Sequence, residues 1–168
     1  MDFDRAENIP GSGGPPKKCA FTGHRNAHYY NDGTEPLIYT LKRAIKQLLD
    51  EGCEEFYCGM AQGFDLMAAQ CLLEFKNDYN FRLIAVKPCA DQTATFTSKN
   101  RRLHDEILKD CHDVIVLSDA YFKGCMQMRD RYLVDNCDAL ICFLRKSYGG
   151  TYYTVNYARK KGLKIIEV

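Results

Sequence analysis

The chain has 168 residues, 46% of them hydrophobic and 27% charged. That composition excludes a wholly disordered chain, and the lack of any run of about 18 apolar residues excludes a membrane-spanning helix. The 23 basic and 22 acidic residues leave a net charge of +1, which argues against broad electrostatic contact with nucleic acid or anionic lipid but leaves room for a local basic pocket.

Residues 1–16 lack the basic start and apolar middle of a signal peptide. Gly11-Ser12-Gly13-Gly14-Pro15-Pro16 reads as linker, so 1–16 is expected to be a flexible extension and 17–168 a single domain. From Lys17 onward short apolar runs alternate with helical patterns. Residues 18–22 predict a strand ending at Gly23. Pro36 opens a helix in which Leu37, Leu41, Ile45 and Leu48 recur at helical spacing, and Gly52 ends it. Residues 54–58 predict a strand, 64–75 a helix, 81–86 a strand, and 99–109 a helix with Leu103 and Ile107 inward. The near-continuous apolar run 113–117 predicts a strand and 126–136 a helix. Residues 139–144, the most apolar stretch, predict another strand, followed by a helix over 152–161 and a strand over 164–166.

This β-α alternation with short connections, and strands apolar on both faces, predicts a parallel sheet covered by helices. With right-handed crossovers the expected fold is α/β: a doubly wound, Rossmann-like, mostly parallel sheet with helices on both faces. Ligands in such folds sit beyond the carboxyl ends of the strands. The nine cysteines are odd in number, form no C-x-x-C pair and mostly lie in apolar runs. They match neither a zinc site nor a disulfide framework. They read as reduced, buried apolar fillers, which implies a cytoplasmic protein.

Three strand ends carry Gly-rich or polar signals: Thr22-Gly23-His24-Arg25; Gly59-Met60-Ala61-Gln62-Gly63-Phe64-Asp65; and Ser147-Tyr148-Gly149-Gly150-Thr151, with Thr154 one helical turn later. Glycine admits backbone N–H groups to a ligand, and a helix that follows directs its dipole at it. Together they predict a phosphate cradle, with Thr151 and Thr154 as hydroxyl donors. No G-x-G-x-x-G and no G-x-x-x-x-G-K-[ST] occurs. Of Arg129 and Arg131, the helical step allows one to meet an anion while the other takes a solvated face. Asp65 reads equally as a capping residue or as an acceptor for a ribose or base. His24 is the histidine nearest the expected pocket, and no metal spacing occurs among His24, His28, His104 and His112. Tyr29, Tyr30, Tyr152 and Tyr153 can stack on a base or cap the core rim.

Phe21-Thr22-Gly23-His24-Arg25, Gly59 to Asp65, Arg129-Asp130-Arg131-Tyr132-Leu133-Val134-Asp135, and Gly149-Gly150-Thr151 with Thr154 and Tyr157-Ala158 resemble the YpsA-like proteins of the SLOG superfamily. The resemblance spans residues 18–168 in order. It implies a Rossmann-like domain that binds nucleotides or nucleotide-derived ligands, related to the Lonely Guy phosphoribohydrolases, to DprA and to ligand sensors of anti-phage systems. Carried over by motif, the ligand contacts are Gly23, Gly59, Gly63, Asp65, Arg129, Gly149, Gly150, Thr151 and Thr154, and Thr22, His24 and Arg25 join them from the first strand end. Asp130 departs from the Arg-Asn-Arg usual in the family, and its carboxylate would repel a phosphate if it faced the pocket. Lonely Guy enzymes follow their Gly-rich loop with a glutamate that assists N-glycosidic cleavage. Here Val155 and Asn156 stand nearby and neither is an acid or base.

The expectation is therefore a protein that senses or sequesters a nucleotide-derived small molecule, such as an NAD-derived or cyclic signal, rather than an enzyme. The alternative is a nucleoside-phosphate hydrolase or glycosyl-transferring enzyme with Asp65 as acid/base and Arg129 as phosphate clamp. No metal, no obligatory cofactor and no membrane partner are expected. The net charge argues against the single-stranded nucleic-acid binding that DprA suggests. Family analogy suggests a homo-oligomer.

Overall fold

The structure, a computed structural model, describes residues 14–27 and 35–168. Most of the expected N-terminal extension, together with His28, Tyr29 and Tyr30, lies outside the described residues. The elements in chain order are β1 (Lys18–Gly23), α1 (Leu37–Asp50), β2 (Glu55–Cys58), α2 (Phe64–Leu73), β3 (Arg82–Lys87), a 3-10 turn at Gln92–Thr95, α3 (Ser98–Asp110), β4 (Asp113–Val116), α4 (Cys125–Asp135), β5 (Ala139–Phe143), α5 (Gly149–Lys161) and β6 (Lys164–Glu167).

The strands form one parallel sheet of order β4-β3-β2-β1-β5-β6. The chain steps outward from β1 to β4, then returns to lay β5 against the other side of β1. That reversal is the topological switch, and it opens a crevice beyond the carboxyl ends of β1 and β5. In register, Gly23 lies beside Phe143. Alternation along β1 sends Cys19 and Phe21 to one face and Ala20 to the other. The first face packs on α1, α2 and α3 through residues such as Leu41, Leu66 and Ile107. The second packs on α4 and α5 through Leu133, Val134, Val155 and Ala158. The doubly wound α/β architecture is thus the one the β-α alternation predicts.

α1 forms because Leu41, Ala44, Ile45, Leu48 and Leu49 make a buried stripe at helical spacing. α5 ends at Gly162 in the left-handed region, with Arg159, Lys160 and Lys161 complementing the negative end of its dipole. All nine cysteines are free thiols; eight are buried and Cys111 is half-buried.

Two details differ from the sequence expectation. β4 is an edge strand whose Val114 and Val116 are 44% and 46% exposed. An apolar run alone cannot distinguish an inner strand from an outer one, since both read as continuous hydrophobic segments. Second, α5 begins at Gly149 rather than at 152. Gly-Gly has poor helix propensity, yet the chain enters its helix there, so the Gly-Gly-Thr segment is the helix's first turn and not a loop ahead of it.

Candidate functional site

A cavity of about 290 Å³ occupies the crevice at the switch point. Its walls come from four segments: Thr22, Gly23, His24 and Arg25 at the end of β1; Ala61 and Asp65 at the start of α2; Met126, Arg129 and Asp130 on α4; and Lys146, Tyr148, Gly149, Gly150 and Thr151 where β5 gives way to α5. Two more open grooves of about 400 Å³ lie elsewhere, one between α2 and α3 and one on the outer side of α4. Neither touches a glycine turn singled out in the sequence.

The glycines divide by function. A Cβ on Gly23 would stand 2.3 Å from the Phe64 ring, and one on Gly63 would stand 2.1 Å from the carbonyl oxygen of Arg25. These two let the end of β1 and the start of α2 cross at backbone distance, a crossing closed by the Phe64 N–H donating to His24 O at 3.2 Å. Gly63 also has φ +87. A Cβ on Gly59 would stand 2.9 Å from Arg129 and from Asp65, so Gly59 makes room for those two side chains. Around Gly149 and Gly150, by contrast, nothing lies within 4 Å of a built Cβ. The α5 start has no side-chain cap and no acidic residue in its first turn, so its N–H groups face the cavity without a side-chain acceptor.

The β2–α2 turn bends sharply at Met60, a buried residue at φ 60. The left-handed conformation is strained for a side chain of this size. Beside it, the Gly59 carbonyl accepts from Arg129 Nη1 at 2.5 Å and from Gln92 Nε2 at 2.8 Å, while the Ala61 N–H donates to Asp65 Oδ2 at 3.2 Å. Arg129 is 4% exposed and also donates from Nε to Asp130 at 2.7 Å. Burial opposes its charge, but Asp130 and Asp65 outweigh that effect and hold its pKa above the usual value. Burial pushes the Asp65 carboxyl up to about 6 against the pull of Arg129 and the Ala61 N–H.

His24 is 8% exposed, and its Nε2 accepts the Arg145 N–H at 2.8 Å. Burial, then Lys146 and Arg145, lower its pKa. A neutral ring accepting at Nε2 carries its proton on Nδ1, so His24 fastens the β5–α5 connection to the end of β1.

Of the residues expected at the site, the structure brings Thr22, Gly23, His24, Arg25, Asp65, Arg129, Gly149, Gly150 and Thr151 to one cavity. Gly59, Gly63 and Thr154 do not line it. The Thr154 hydroxyl is fully buried and donates to Gly150 O at 2.8 Å. Sequence reasoning missed Lys146 and Tyr148 as wall residues, and Gln92 as a support for the Gly59 carbonyl. Tyr148 is 67% exposed, with the Lys146 ammonium 5.7 Å from its ring centroid. An aromatic residue directly before Gly-Gly at a helix start was the available signal. Asp130, whose repulsion of a phosphate was conditional on its facing the pocket, does line it. Among the described residues, no group of three or more His, Cys, Asp or Glu is placed to hold a metal ion, and no helix is long and apolar enough to cross a membrane.

Parallel strands, a switch-point crevice and an uncapped helix start opening into it define a Rossmann-like domain with its candidate site at the switch point. The chain belongs to the YpsA family, the YspA SLOG family, whose model matches residues 19–165. It is similar to a UPF0398 protein of Listeria monocytogenes, 26% identical over 74% of this chain and 73% of that one. A UPF0398 protein of Bacillus thuringiensis is 24% identical over 87% of this chain and 84% of that one. Among solved structures, DNA processing protein A (DprA) of Streptococcus pneumoniae superposes with a TM-score of 0.64 at 22% identity, covering 89% of this chain. This chain spans about half, 49%, of the length of that one. DprA of Helicobacter pylori, described with a single-stranded DNA binding mode, superposes with a TM-score of 0.62 at 20% identity, over 91% of this chain and 65% of that one.

These matches correct the expectation that the net charge argues against nucleic acid as a partner, because a protein sharing this fold binds single-stranded DNA. The physical reason is that net charge sums the whole surface, whereas strand binding depends on where the cations sit. In this chain the exposed Arg25, Lys99, Arg101, Arg102, Lys123 and Arg145 follow the carboxyl ends of the strands or open the helices there. They share that end with Asp91, Asp119 and Glu167, while at the opposite end Glu54, Asp113, Asp135 and Asp138 mix with Lys17, Lys18, Arg82, Lys161 and Lys164. A net charge of +1 does not report that local run of cations beyond the strand ends.

Proposed function

We propose that the protein binds a nucleotide or nucleotide-derived small molecule, for sensing or sequestration. The observation that carries this reading is the uncapped start of α5, Gly149 to Thr151, opening into the switch-point cavity. The anionic group of the ligand sits against those N–H groups, with Lys146 and Arg25 beside it, and the base lies on the exposed ring of Tyr148. A volume of about 290 Å³ is at the small end of the roughly 300–1,000 Å³ range of small-molecule pockets and favours one mononucleotide-sized ligand over a dinucleotide. Turnover is the lesser reading, because the acid and base groups of the lining are already engaged: Asp65 by the Ala61 N–H, Asp130 by Arg129 and His24 by the Arg145 N–H. A thermal-shift panel of nucleotides, cyclic nucleotides and ADP-ribose tests the reading: a binder at 100 times its Kd adds about 2.7 kcal/mol of stability. Silence across the whole panel refutes it.

A second reading, single-stranded nucleic acid, is favoured by the basic rim together with the exposed Tyr121, Phe122 and Tyr148. Fluorescence anisotropy with a labelled oligonucleotide at rising salt separates the two. A strand held on the rim loses affinity steeply with salt, whereas a mononucleotide in the cavity competes with it weakly or not at all.

A further inference from the structure

We infer that the cavity is selective for a ribose diol, preferring ribonucleotides to their 2′-deoxy counterparts, and that Asp130 is the residue that sets this preference. The inference rests on the nucleotide reading above and adds a direction to it. One wall of the cavity is cationic: the start of α5 and Lys146. The part of the lining contributed by α4 and α2 carries two carboxylates, Asp130 and Asp65, both close to Arg129. A carboxylate only accepts hydrogen bonds. One oxygen of Asp130 takes the Arg129 Nε–H, and Oδ2 of Asp65 takes the Ala61 N–H. Among the described residues, the other oxygen of each accepts no hydrogen bond. Asp130 is only 13% exposed at its side chain, so bulk water reaches it poorly.

An anionic group cannot settle on that wall, because two carboxylates repel it and Arg129 is already engaged with Gly59 O and Asp130. The wall instead demands donors. A ligand that carries both an anion and adjacent hydroxyls satisfies both parts of the lining, and a ribonucleoside 5′-phosphate is such a ligand. The 2′-deoxy compound leaves one carboxylate oxygen desolvated and unpaired, which a polar site rejects more strongly than an apolar one.

The test is isothermal titration of the full chain with adenosine, guanosine, cytidine and uridine 5′-monophosphates, each beside its 2′-deoxy and 2′,3′-dideoxy forms. The expected order is ribo over deoxy over dideoxy, with about tenfold or more lost at the first step. Equal affinities for the three sugars overturn the inference and leave the nucleotide reading standing. No binding by any compound refutes the nucleotide reading itself, and the inference with it. Asp130→Asn keeps an oxygen for the Arg129 Nε–H but replaces a charge-assisted acceptor with a weaker neutral group. It is expected to shrink the ribo-to-deoxy ratio while the dideoxy affinity holds or rises. A merely structural role for Asp130 would instead weaken all three sugars alike, and that result also overturns the inference.

Discussion

Replacing Asp65 with asparagine should change how stability depends on pH, and the size of the change follows from where the carboxyl sits. Asp65 is 6% exposed, and burial raises its pKa from 3.8 to about 6. At about 1.4 kcal/mol per pKa unit, that shift corresponds to about 3 kcal/mol. The folded protein keeps this proton to higher pH than the unfolded chain does. Stability from this group is therefore present in full below 3.8 and is lost as pH rises through about 6. Between pH 4.5 and 7.5 the wild type should lose about 2 kcal/mol that Asp65→Asn does not. His24 and His104 have pKa values lowered by burial and titrate in the opposite sense, but both proteins contain them, so the difference isolates residue 65. Urea unfolding followed by circular dichroism at pH 4.5, 6 and 7.5, with equal m-values for the two proteins, reads it directly. A stability difference that stays constant across those pH values, or that moves against the variant as pH rises, would show that the carboxyl is not the buried, proton-holding group described here.

Gly63→Ala should cost more than about 3 kcal/mol, since a positive φ and a backbone clash with Arg25 act together and neither can relax. Gly162→Ala, also at positive φ but in open space, should cost only about 1 kcal/mol, and chemical denaturation of both variants checks the contrast. Gly150→Ala meets nothing within 4 Å and should leave the melting temperature unchanged or slightly raised, with up to about 1 kcal/mol gained from helix propensity. Nucleotide affinity should nevertheless fall, because the added methyl stands between the ligand and the helix N–H groups. Equal affinity in a titration would remove the α5 start from the site. Arg129→Met leaves Asp130 without its Nε–H partner and Asp65 without its neighbouring cation in a buried setting, and should cost about 3–5 kcal/mol. The loss should be smaller at pH 4.5, where Asp65 is protonated, and parallel unfolding curves at the two pH values would contradict that coupling.

Much of this protein was legible from the one-dimensional pattern because local physics writes that pattern. The α1 stripe of Leu41, Ile45 and Leu48 has helical period whatever it packs against. The runs that became β1, β2, β3 and β5 are apolar because both of their faces are covered. The ends of β1, β2 and β3 were marked by Gly23, Gly59 and Pro88, and right-handed crossovers between parallel strands then required that the strand ends, and so the candidate turns, gather on one edge of the sheet.

What the pattern could not supply is the sheet's order and the facing of side chains across it. Val114 and Val116 read like core residues, and only the strand order makes β4 an edge. Gly23, Gly63, Gly149 and Gly150 are one residue type in the sequence. Only the packing of Phe64 and of the Arg25 carbonyl separates the pair that lets backbones cross from the pair that faces open space. The meeting of Arg129 and Gln92 with the Gly59-to-Asp65 turn joins three stretches of chain. Helical and strand periods record what each segment buries. They hold no information about which distant segment does the burying, and in this protein the site is made of those distant meetings.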